Sequence, residues 1–101
     1  MAAANRVIVL PEAVDDIAEA YDWYEERREG LGGEFLEQVN DCMESLQRHP
    51  EMCPFIHESY RRAVVRRFPY VILYEHSDDD VTVYAVFHAS RDPERWRSRL
   101  S

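Results

Sequence analysis

The stretch Tyr60–Glu75, YRRAVVRRFPYVILYE, decides how the chain is read. Proline cannot donate to a β-ladder, so Pro69 breaks the stretch into two strands at Phe68-Pro69. In the first strand, alternation puts Arg62, Val64, Arg66 and Phe68 on one face and Arg61, Ala63, Val65 and Arg67 on the other. Neither face is purely apolar, which predicts a partly exposed strand. Tyr70–Tyr74, YVILY, is apolar on both faces and reads as central.

Downstream, His76 and the run Ser77–Asp80 form a polar turn, and Val81–His88 is a further strand. Val81, Val83, Ala85 and Phe87 share one of its faces; Thr82, Tyr84, Val86 and His88 share the other. The turn makes the last two strands an antiparallel hairpin. Asp92-Pro93 opens a helical tail, with Asp as N-cap and Pro as first residue. Trp96 and Leu100, four apart, can pin that tail to the body. Arg91, Arg95 and Arg99 share its spacing and predict a small basic ridge.

Upstream, Val7–Leu10 is a short apolar strand ended by Pro11, which suits the first turn of a helix. Helix one is expected over 12–28, with Val14, Ile17, Ala18, Tyr21 and Tyr24 as its apolar stripe. Asp16, Glu19, Asp22, Glu26 and Glu29 fall on the other side and read as solvated. Trp23 lies off the stripe, at its rim or against a partner. Gly30-Leu-Gly-Gly33 stops the helix, and helix two is expected over 34–48 with Phe35, Val39, Cys42, Met43 and Leu46 inward. His49-Pro50 ends it, and 49–59 reads as an ordered loop. His49, Cys53 and His57 recur every fourth residue, but Pro50 and Pro54 oppose the helix that would align them; no metal site and no cofactor are expected.

At 101 residues the chain is expected to be a single domain over 1–101. The expected fold class is α+β, with the order β-α-α-β-β-β: an antiparallel helix pair on one face of a mainly antiparallel twisted sheet. The other sheet face, or an edge, is left for a partner. The net charge of -8 argues against a general nucleic-acid binder. Charge is uneven: residues 1–60 carry 14 Asp and Glu against 4 Arg, whereas 61–101 carry 6 against 8. All 12 basic residues are Arg, which excludes lysine chemistry. Two cysteines make no disulfide framework and read as reduced thiols in a cytoplasmic protein. No signal peptide and no membrane-spanning run are recognised.

The order of elements, with Arg67–Tyr74 (RFPYVILY) and Val83–Trp96 (VYAVFHASRDPERW), resembles the RelE/ParE toxins of bacterial type II toxin–antitoxin systems, often labelled plasmid stabilisation proteins. The segment 13–17 (AVDDI) and His49-Pro50 support the likeness, which covers nearly the whole chain. The resemblance implies a growth-inhibiting toxin silenced by a cognate antitoxin that wraps it. One branch of the family cuts mRNA on the ribosome; the other, ParE-like, acts by binding, with DNA gyrase as the target.

RNA cleavage through the 2′-OH needs a general base, a cation and a general acid. Arg67 and Arg91 could hold phosphate, and His88 is the remaining proton carrier, but the tail position that the ribonuclease branch fills with a proton donor holds Trp96 here. The reading is therefore a ParE-like, binding-only toxin whose partner meets Arg61, Arg62, Arg66, Arg67, Arg91, Arg95 and Arg99. The alternatives are a ribosome-dependent endoribonuclease using His88, Arg67 and Arg91, and a non-toxic relative that survives as a binding module.

Overall fold

The computed structural model describes residues 2–100. Its elements are β1 (Arg6–Val9), α1 (Pro11–Arg27), α2 (Leu31–Arg48), β2 (Phe55–His57), β3 (Tyr60–Val64), β4 (Tyr70–Ser77), β5 (Asp80–His88) and α3 (Arg95–Arg99). They form one five-stranded sheet in the order β1-β5-β4-β3-β2. The β1–β5 pair is parallel and the others are antiparallel. The α1–α2 hairpin covers one face. This is the α+β architecture expected, with one strand more.

That strand is β2, which lies in the segment read as a loop. It pairs antiparallel with β3 through Phe55↔Arg61 and His57↔Tyr60. Three residues between two prolines and a turn carry too little periodicity to announce a strand. Arg61 anchors it: its Nη1 donates to the carbonyls of Glu51 (3.1 Å) and Cys53 (2.7 Å), and its guanidinium covers the Phe55 ring at 3.8 Å. The β4–β5 hairpin turns on Asp78 (φ 54°) and Asp79 (φ 63°), the left-handed pair that a two-residue loop requires.

Alternation along β5 breaks at a bulge. Leu73 pairs with Ala85 but Tyr74 with Val83, so Tyr84 is extra. Val81 and Val83 therefore face the helices with Ile72 and Tyr74, whereas Ala85 and Phe87 join Val71 and Leu73 on the opposite face. The four residues expected on one face are split between two cores. The second face is not free: Ile56, Trp96 and Leu100 pack on it, as the tail spacing predicted for the last two.

The helices also differ in detail. Helix two starts at Leu31, not Glu34, because Glu25 caps it: its carboxylate oxygens accept the N–H groups of Gly30 and Gly32, both at 2.9 Å. Gly30 takes φ 90°, the left-handed turn between the helices. A Cβ on Gly32 would lie 2.8 Å from the Tyr21 ring, so the hairpin closes at that residue. In α1 the residues buried against the sheet are Ala13, Asp16, Ala20 and Tyr24; Tyr24 belongs to the expected stripe, and the other three lie one step round from it. Tyr24 joins Phe35, Phe68 and Tyr70 in an aromatic cluster that ties the hairpin to the turn before β4.

Asp16 is the main correction. Expected in solvent, it is 5% exposed. Its Oδ2 accepts the Val86 N–H (3.0 Å) and Arg99 Nη1 (2.6 Å); its Oδ1 accepts Arg99 Nη2 (2.7 Å) and Arg95 Nη1 (3.1 Å). All the strong acceptor directions of the carboxylate are filled.

Two predictions follow from this packing. Asp16→Ala leaves two arginines and a strand N–H without their acceptor and should destabilise the fold by about 3 kcal/mol in urea unfolding; a solvated carboxylate would change it by under ~0.5 kcal/mol. Gly32→Ala should lower the thermal midpoint through a loss of ~1–3 kcal/mol, because the new methyl must displace the Tyr21 ring.

Candidate functional site

The ends of β4 and β5, the middle of α1 and the segment before α3 enclose a cleft of about 330 Å³. Its walls include Glu19, Trp23, Tyr70, His88, Arg91 and Asp92. Tyr70 and His88 are cross-strand partners, their rings edge to face at 5.3 Å. Arg91 Nη2 donates to the Tyr70 hydroxyl at 2.8 Å, and its Nε lies 3.7 Å from Asp92. Trp23 stands on α1 between two cations, with the Arg27 guanidinium 3.9 Å and that of Arg91 5.4 Å from its ring centroid.

The chemistry of this cleft is limited. Burial pushes the Tyr70 hydroxyl above its usual range, with Arg91 opposing, so it remains a neutral donor. His88 Nδ1 accepts the backbone N–H groups of Arg91 (2.9 Å) and Ser90 (3.2 Å). Those bonds build the turn after β5 and occupy Nδ1 as an acceptor. His88 and Arg91 thus share the cleft, as the endoribonuclease alternative requires, but Arg67 does not join them. It sits in the β3–β4 turn at φ 70° and pairs with Glu34 at 3.3 Å. That ion pair, with Arg28 the larger contributor, holds the Glu34 carboxyl below its usual range.

The arginines expected to meet a partner divide into four groups. Arg95 and Arg99 do not form a ridge: α3 begins only at Arg95, and both side chains turn inward to Asp16. Arg61 is committed to the backbone of the segment before β2. Arg67 and Arg91 are exposed but each has an intramolecular contact. Arg62 and Arg66 remain: among the described residues neither side chain makes a hydrogen bond, an ion pair or a ring contact, and both are exposed. They flank Val64, the most exposed of the large hydrophobic residues at 65%. Val64 and Arg66 line a groove between α2 and the segment before β2.

Sequence reasoning missed one further surface. Val14, Ile17 and Tyr21 of α1 face Leu36, Val39 and Met43 of α2 across an apolar groove of about 430 Å³. Val14 there is 51% exposed. The signal was present: α1 carries more apolar positions than one buried stripe uses. Apart from Tyr24, which is core as expected, the stripe read as core is the groove wall, and Ala13 and Ala20 fill the core position instead.

No helix among the described residues is long and apolar enough to cross a membrane. No curated protein sequence matches the chain. Among solved structures, the chain is similar to one from the chromosomal ParDE toxin–antitoxin system of P. aeruginosa, at TM-score 0.74 and 13% identity, covering 82% of this chain and 94% of that one. At that identity the likeness is one of fold. Residues 7–93 match the family described as the ParE toxin of the type II toxin–antitoxin system parDE. That match spans α1 and α2, all five strands but the first residue of β1, and the segment carrying His88 and Arg91, so the chain belongs to the ParE toxin family.

Proposed function

We propose that this protein is the toxin of a type II toxin–antitoxin pair, that it acts by binding its cellular target, and that a cognate antitoxin silences it by wrapping two of its surfaces. The observation that carries the reading is the apolar groove between α1 and α2. Residues 11–48 hold 12 Asp and Glu against 3 Arg, so the groove is set in acidic helices. An amphipathic antitoxin helix with apolar anchors and basic flanks fits it. The second surface is the edge of β3, where Arg62 and Arg66 lack internal partners and suit an acidic stretch of the same antitoxin.

Two features support a binding-only toxin. The cleft supplies one exposed cation and a neutral hydroxyl, but His88 spends one ring nitrogen on its own turn. Arg67, the second cation of a ribonuclease set, is engaged elsewhere. DNA gyrase in the cytoplasm is the target that the family resemblance favours. A second reading rests on a specific observation: Tyr70, His88 and Arg91 share one cleft, as a ribosome-dependent mRNA endoribonuclease would need.

Induced expression should arrest growth, and co-expression of the small reading frame beside the gene should restore it. Val14→Asp combined with Met43→Asp should weaken antitoxin capture at least tenfold, about 1.4 kcal/mol or more, in a pull-down or calorimetric titration. Unchanged affinity would remove the groove from the reading. For the target, the purified chain should inhibit gyrase supercoiling and leave ribosome-bound mRNA intact. If mRNA is cut, and His88→Ala with Arg91→Ala abolishes the cutting, the endoribonuclease reading replaces this one.

A further inference from the structure

The groove beside β3 has two thiols in its wall. Cys42 projects from α2 and Cys53 from the segment before β2, and both line the same cavity of about 240 Å³. Neither is in a disulfide. Both are half-buried and pack against the main core. The Cys42 Sγ rests 4.0 Å from the Val64 carbonyl oxygen. Cys53 is held from two sides. Arg61 donates to its carbonyl at 2.7 Å, and its thiol lies at the Tyr74 hydroxyl, itself raised first by burial and then by that thiol. Tyr74 in turn donates to the Pro50 carbonyl at 3.0 Å. The segment 50–53 is thus fixed at several points, with its one thiol turned toward the core and α2.

We propose that Cys42 and Cys53 are a peroxide-sensitive pair that closes into an intramolecular disulfide across this groove. Ten residues separate them in the chain, a short loop to close. Burial, and next the neighbouring Cys53, push the Cys42 thiol up to about 11, which disfavours Cys42 as the first nucleophile; the first attack is assigned to Cys53. The Cys53 sulfur takes one oxygen of hydrogen peroxide as the O–O bond breaks and water leaves. The Cys42 sulfur then displaces the hydroxyl of that sulfenic acid, forming the S–S bond and releasing a second water. Two thiols are oxidised and one peroxide is reduced. The bond ties α2 to the segment before β2 and narrows the groove beside Val64 and Arg66. None of this depends on the identity of the partner or the target.

The test uses the reduced, full-length protein and a small excess of hydrogen peroxide, followed by intact mass and peptide mapping without reductant. The expected result is loss of two hydrogens, simultaneous loss of both free thiols, and one linked peptide joining the two cysteines within one chain. Cys42→Ser and Cys53→Ser should each abolish that product and yield no mass loss. Hydrogen exchange over residues 50–54 should slow in the oxidised wild type and stay unchanged in the serine variants. Independent oxidation of the two thiols to sulfinic acids, cross-links only between chains, or unchanged exchange in the oxidised form would overturn the proposal.

Discussion

The sheet depends on a carboxylate that does the work of a missing strand. β1 runs beside β5 only from Arg6↔Asp80 to Val9↔Val83, because Pro11 then turns the chain into α1. Beyond Val83 the outer edge of β5 would be left without a neighbour. Asp16, on the second turn of α1, takes the Val86 N–H where the next strand residue would have accepted it, and Arg99 donates to the Tyr84 carbonyl at 3.3 Å. A buried carboxylate is costly unless its lone pairs are filled, and here two guanidiniums and one backbone N–H fill them. The same contact fastens the chain end, which brings Trp96 and Leu100 down onto the second face of the sheet.

The candidate surfaces follow from that arrangement. With the tail latched, the second sheet face is largely covered, so what stays open is the helix-hairpin groove, the edge of β3 beyond β2, and the cleft between α1 and the end of β5. The first is apolar amid acid, the second carries two unpaired cations around an exposed valine, and the third is mixed in charge. Such a distribution suits a partner that contacts the protein along a path rather than in one pocket. Charged flanks set its direction, while apolar anchors supply most of the binding energy.

How legible was this in the sequence? The strand end before Pro11, the start of β4 after Pro69, the aspartate turn at 77–80 and the glycine stop after α1 are local events, and each sits where it was expected; β3, expected to reach Phe68, instead ends at Val64, and 65–69 form the turn into β4. β2 was not legible, because its pairing is fixed by Arg61 reaching back to Glu51 and Cys53 rather than by any pattern of its own. The bulge at Tyr84 was not legible either: one extra residue reverses every later side chain, and nothing in Val81–His88 marks where it falls. Of the site residues, Arg62 and Arg66 stand out in the sequence as charges on an exposed strand. Arg95 and Arg99 stand out equally and yet turn inward.

The sequence by itself determined the class of fold, the order of every element but β2, and the family, because proline, glycine and apolar periodicity act within a few residues and survive without knowledge of contacts. Only the tertiary structure decided which charges are spent. Whether a guanidinium is free depends on a carboxylate that can be 83 residues away, as between Arg99 and Asp16. Helical periodicity assigned Asp16 to solvent, since it counts a lone acid as polar and cannot see the partners that make its burial affordable.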